Sequence, residues 1–461
     1  MNRLILLAFG LLVIALLILA VPIMIGALPD RYVMRIPKPF QKYGLPENTV
    51  ALLPTVDSPL PAATLLASHP AAPRSAQAAT MPAQNTVVRT PQSTETQAVV
   101  TLVATAQMTE TPTASPSPSP SPEPTVSLPP IPENARLEGF QHVFQTWNNC
   151  GPATLAMALS YFGDRVTQDQ TAAVLKPNPE DRNVSPQEMA SYVNEETGHS
   201  ALWRANGTLD MLRRLIAAGV PVIIETGIEP PGEFRWLGWY GHYLLLVAYD
   251  DLQGNFWVYD SWFGTSEEPL QNANPDGRIL TYEELAEGWP QFNRNFIALF
   301  DEEQSAAVSD IVGEAMTDAR MWEIARDRAL ADIETNPENA FYWFNLGTNN
   351  AALGNYEDAA GAFDQARAIG LPWRMLWYQF GPYEAYLNTG RYEDVVLLAD
   401  VTLEDRPYFE ESYYYRGLAL AELGDHDAAV NNLEQAVRFN PNFSPAQQAM
   451  DWLQNRADVY E

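Results

Sequence analysis

One cysteine, Cys150, occurs in 461 residues. Without a second thiol there is no intrachain disulfide, and a zinc site built on several thiolates is excluded. Positive charge is also scarce. There are 27 Lys and Arg against 57 Asp and Glu, a formal net charge of -30. A chain this acidic repels phosphate backbones, which argues against nucleic-acid binding. Only five histidines are available as bases or ligands. The sequence has no phosphate-binding loop of the GxxxxGK[ST] type, and no cofactor or metal is expected.

What is present falls into four stretches. Leu4 to Leu28 is an apolar run without a charge, long enough for a bilayer span of roughly 20 residues. A cleaved signal peptide has a shorter apolar stretch of about 7–15 residues, so residues 4–28 are read as a single transmembrane anchor. Residues 29–135 are rich in Pro, Ser, Thr and Ala and include an alternating Ser-Pro run over 115–122. Such a stretch buries too little apolar surface to fold and is expected to be a disordered linker. As a flexible coil it reaches on the order of 50 Å. The flanking Arg31, Arg35, Lys38 and Lys42 lean towards the cytoplasm. The stalk-like linker points the other way, and the globular domains are expected outside the cell membrane. Residues 136–303 turn globular in composition, and 306–461 turn helical and acidic.

Around Cys150 the sequence reads as loop, helix, stop. Pro152 suits a first helical turn. Leu155, Leu159 and Phe162 recur at helical spacing, and Gly163 is a natural C-terminal stop. Cys150 therefore stands at a helix N-terminus, where free N–H groups and the dipole favour the reactive thiolate. Taken alone, a cysteine before a helix is more often a buried structural residue; a base and its orienter change that.

His242 opens the apolar run 242–249, read as a buried strand. Residues 250–255 form a turn, and residues 256–264 read as the returning strand. A hairpin centred near Leu252 puts Asp260 opposite Leu244, on the face of His242 and diagonal to it. A slip of one residue would separate them. Gln145, with the backbone N–H of Cys150, is the candidate donor to an oxyanion; Gln141, Asn148 and Asn149 are its rivals. His142 and His199 lie in segments with no second feature, and Glu225 reads as structural.

The residues Asn149-Cys-Gly-Pro-Ala, then Gly241-His-Tyr, then Tyr259-Asp-Ser resemble the bacteriocin-processing, double-glycine-leader cysteine peptidases. The resemblance covers about 137–300. It implies a papain-like α+β fold and peptide-bond hydrolysis by a Cys-His-Asp set with an upstream Gln. Those roles fall on Cys150, His242, Asp260 and Gln145, although Gln145 stands five residues before the cysteine, where related enzymes often differ slightly. The exporters of that family carry a multi-span transporter, which this chain lacks, so the substrate stays open.

Other segments fit such a domain. Ser185, Pro186 and Glu188 form a capping-box start, 208–218 reads as a helix, and 220–226 reads as a strand. Towards the C-terminus, Pro337, Pro372, Pro407 and Pro441 recur at steps of about 35 residues. This period matches tetratricopeptide repeats, an all-α solenoid of helix pairs. Such arrays bind proteins or peptides. Residues 321–336 are expected to precede the array and 443–459 to cap it. Trp373, Trp377 and Tyr378 are read first as core, with an interdomain contact as one alternative. The expected partners are a peptide or protein substrate, a protein at the repeats and the membrane. An inactive binding module and an acyl transferase are the competing functions.

Overall fold

The computed structural model describes residues 52–56, 58–67, 128–181, 183–229, 238–266, 271 and 274–460, with Val21 and Met24. The anchor expected at 4–28 otherwise lies outside the described residues, as does most of 29–135. Among the described residues no helix is long and apolar enough to cross a membrane.

Seven strands form one antiparallel sheet: β1 (Asn134–Arg136), β2 (Ser200–Arg204), β3 (Val222–Ile228), β4 (Tyr240–Asp250), β5 (Asn255–Asp260), β6 (Arg278–Thr281) and β7 (Phe296–Phe300). Their order is β2-β7-β3-β4-β5-β6, with β1 beside the end of β4. Strand periodicity sends alternate residues to opposite faces. Ile223, Leu245, Val247, Ile297 and Leu299 pack with the helices Cys150–Ser160 and Pro186–Glu196. Val222, Ile224, Leu244, Leu246 and Ala298 pack with the helix Leu209–Ala217. The central strands are buried on both faces, which explains their near-continuous apolar sequence. Ser185 caps its helix as expected: its hydroxyl accepts from the Glu188 N–H, and Glu188 reaches back to the Ser185 N–H.

The repeat region follows. Helix pairs Ala340–Ala352/Tyr356–Ile369, Gly381–Asn388/Tyr392–Asp405 and Glu410–Glu422/His426–Phe439 stack in sequence, closed by Ser444–Tyr460. Small residues set the helix spacing: a Cβ on Gly347 would lie 2.7 Å from the Phe363 ring. The second pair opens with a 3-10 turn over Trp373–Trp377, where the repeat pattern degenerates.

The structure differs from the sequence reading in two places. Val308, Val312, Ala315 and Met321 belong to the core of the sheet domain, so repeat packing starts after residue 306, with the helix Asp318–Thr335. Part of the stretch read as linker is also ordered on the repeats. Leu53 and Leu65 are buried in the repeat core, and the Leu53 N–H donates to the Leu371 carbonyl at 2.9 Å. Arg367 Nε donates to the Pro54 carbonyl at 2.8 Å. These leucines supply the apolar surface that the Pro/Ser composition of the stretch as a whole lacks.

The two domains meet through paired polar groups. Arg294 and Asp332 form an ion pair at 2.7 Å, and Asn345 Nδ2 donates to the Pro290 carbonyl at 2.7 Å. Asn183 Nδ2 donates to Glu411 at 3.2 Å. Burial pushes the carboxyls of Glu410 and Glu411 up, and Asp181 shares that shift across the junction.

Candidate active site

A tight turn delivers Cys150. Asn148 adopts a left-handed φ of 55°, which Asn tolerates better than most residues. Its carbonyl accepts from Lys176 Nζ at 3.0 Å. The helix Cys150–Ser160 starts at the cysteine, and the N-cap Asn149 spends no side-chain bond on the first turn. Instead Asn149 Nδ2 donates to Thr146. The first N–H groups therefore stay free for an anion. Gly151 fits because a Cβ there would press on Val184 at 3.3 Å and on Met189 and Tyr243 at 3.5 Å.

His242 and Asp260 meet across the hairpin. Asp260 pairs with Leu244, which sets it on the face of His242. His242 Nε2 lies 2.8 Å from Asp260 Oδ1, and both side chains are buried. The imidazole is also close enough to the half-buried Cys150 thiol to lower its pKa. With Nε2 held by the carboxylate, Nδ1 is the ring nitrogen left for sulfur. Asp260 is itself fixed: Oδ1 accepts from the N–H groups of Trp262 at 2.8 Å and Phe263 at 3.0 Å, and Oδ2 accepts from Arg278 at 3.0 Å.

These contacts decide the charges. Burial pushes the Asp260 carboxyl up, but His242, Arg278 and the Phe263 N–H outweigh it and hold it well below the usual carboxylate range. Burial pushes His242 down, and the Asp260 carboxylate, then Cys150, outweigh that and raise the ring to about 10. Burial raises the Cys150 thiol, whereas His242, Lys176 and a backbone hydrogen bond from Tyr243 bring it below its ordinary value. The electrostatics therefore shift the pair towards thiolate and imidazolium.

Gln145 is held beside this group by Ser261. Its N–H donates to the Ser261 carbonyl at 2.7 Å, and Ser261 Oγ donates to its Oε1 at 2.9 Å. This orients the amide and leaves Nε2 as the donating end. Of the rivals, Asn149 is bound to Thr146, Asn148 Nδ2 donates to the Glu180 carbonyl at 3.4 Å, and Gln141 is exposed.

Sequence reading missed several neighbours. His142, set aside earlier, donates from Nε2 to the Asp260 carbonyl at 2.7 Å and so braces the carboxylate's backbone. Lys176 is buried with its ammonium on three carbonyls. Glu225 accepts from Asn295 at 2.8 Å, and burial raises its carboxyl to about 8. It enters ordinary pH as a neutral acid near the thiol. Only the Ser after Asp260 left a sequence signal; the others come from distant segments. Among the described residues no cluster of His, Cys, Asp and Glu suits a metal.

The Peptidase_C39 like family model matches residues 137–294, and a tetratricopeptide repeat model matches residues 410–443. No curated protein matches the chain. A C39-like peptidase from Bacillus anthracis is 20% identical, covering 37% of this chain and 99% of its own, with a TM-score of 0.28. A double glycine motif protease from an AMS/PCAT transporter, in complex with the leader peptide, is 17% identical, covering 36% and 92%, with a TM-score of 0.24. The MamA RS-1 ArsTM double mutant is 18% identical, covering 30% and 76%, with a TM-score of 0.27. Residues 137–294 thus form a Peptidase_C39-like domain, and a tetratricopeptide repeat region follows it.

Proposed function

We propose that this protein is a cysteine peptidase that hydrolyses peptide bonds with Cys150 as nucleophile, His242 as acid and base, and Asp260 as orienter. The observation that carries this reading is the buried His242–Asp260 pair at 2.8 Å, with the imidazole beside the Cys150 thiol at the start of its helix. The thiolate attacks the scissile carbonyl carbon, forming a C–S bond. The oxyanion is received by the Cys150 N–H and Gln145 Nε2. The imidazolium then gives its proton to the leaving amine as the C–N bond breaks. Water, deprotonated by the neutral ring, attacks the thioester and releases the acid, and the thiolate returns. The repeats engage a protein or peptide partner, and the apolar run at 4–28 tethers the chain to a membrane.

Hydrolysis and acyl transfer part at the second step. Incubated with a synthetic peptide library in water labelled with heavy oxygen, the protein is expected to release fragments with one labelled carboxyl oxygen. Prior alkylation of Cys150 is expected to abolish them. Unlabelled fragments joined to an added amine would instead support transfer.

A further inference from the structure

The strand that carries His242 lacks half of its support where it matters. β5 stops at Asp260, opposite Leu244, so no β5 residue pairs with Tyr240–Tyr243. The other edge of this segment keeps its ladder, Tyr240, Gly241 and His242 pairing with Ile228, Gly227 and Thr226 of β3, so the open edge depends on the side chains packed on it. Here several of those side chains come from the repeat region. Arg374 Nη1 donates to the Trp239 carbonyl at 3.0 Å, and its guanidinium carbon lies 4.1 Å from the Tyr240 ring centroid. The buried Trp377 meets Tyr240 edge-on at 6.1 Å. Tyr378 covers Gly241 so closely that a Cβ there would lie 3.1 Å from its ring, and 2.6 Å from that of Phe292. The contact continues inward: Tyr240 meets Trp262 at 6.4 Å, and Trp262 meets His242 at 6.3 Å.

We propose that Arg374 and Tyr378 are positioning residues for His242, which makes the repeat region part of the catalytic apparatus and not only a recruiting surface. This rests on the proposed role of His242 as the base. The ion pair between sulfur and imidazole is short-ranged, and a misplacement of about 1 Å in such a pair costs roughly 100-fold. Removing either support leaves Tyr240, Gly241 and His242 held on the β3 side alone, and the imidazole shifts as the open edge loosens.

The test uses the full chain and iodoacetamide, with the second-order rate of Cys150 alkylation followed against pH. Tyr378→Ala and Arg374→Ala are expected to move the acidic inflection up by about one pH unit, a tenfold loss of thiolate below it. Tyr378→Phe keeps the ring and is expected to restore the wild-type profile. Leu423→Ala, at an exposed repeat position, is expected to change nothing. Should Tyr378→Ala lose its circular-dichroism signature, Arg374→Ala carries the test alone. A fast wild type with unchanged alanine variants overturns this inference and leaves the peptidase reading standing. A wild type that alkylates like a free thiol overturns both.

Discussion

A His242→Ala variant is expected to hydrolyse peptides at least about 1,000-fold more slowly than the wild type, with KM little changed. Two functions leave together. The thiol loses the cation that lowers its pKa, and the leaving amine loses its proton donor. The loss of the imidazolium outweighs what Lys176 contributes, because the hydrogen bond and charge of His242 are the largest favourable influences on the sulfur. With His242 gone, burial is opposed only by Lys176 and the Tyr243 backbone hydrogen bond, and the thiol rises back towards its ordinary range. At about pH 6 the thiolate fraction then falls. A change in kcat with KM preserved marks an interaction made in the transition state. Initial rates on a peptide found to turn over, together with circular dichroism to check the fold, measure this. A loss in kcat larger than the loss in alkylation rate, without unfolding, is the expected pattern.

Asp260→Asn separates orientation from charge. The amide oxygen retains an acceptor for the imidazole N–H and for the Trp262 and Phe263 N–H groups, so the ring stays placed. The negative charge that raises His242 is lost. In the wild type the imidazolium persists to about pH 10, so activity on the alkaline side is expected to hold until then. In Asp260→Asn the ring returns towards 6.5, and the alkaline limb of kcat/KM moves down by several pH units. The sign follows from the proton: the acid form is needed to expel the amine, and a lower pKa empties it sooner. Asp260→Ala is expected to do more damage. It leaves Arg278 and His242 without their shared anion, and breaking a buried pair costs about 3–5 kcal/mol. A pH–rate profile and thermal unfolding of both variants check this.

The hairpin shows how much of the site was legible in the sequence. The expected partner of Asp260, Leu244, is the observed one, but the route is less direct than a regular hairpin. At the turn Asp250 pairs with Asn255, and Ala248 with Trp257. Continued straight, that register would put Asp260 opposite Leu245, on the wrong face. A bulge at Val247 absorbs one residue and restores the face of His242. Nothing in the apolar run 242–249 marks that bulge. The helix start at Cys150 and the cap at Ser185 were legible because both are written in adjacent residues. Arg278, His142, Lys176 and Tyr378 were not, since each reaches the site through tertiary contact alone. The docking of Leu53 and Leu65 was hidden for a related reason: two leucines in a Pro-rich stretch carry no period.

The central claim is that Cys150 is ionised by its neighbours before any substrate binds. The most direct measurement is the rate of iodoacetamide alkylation of the wild-type protein between about pH 4 and pH 10, compared with a free thiol of pKa near 8.5. The account predicts a plateau of reactivity reaching well below neutral pH. A single inflection at 8 or above, with negligible reaction near pH 6, would contradict it.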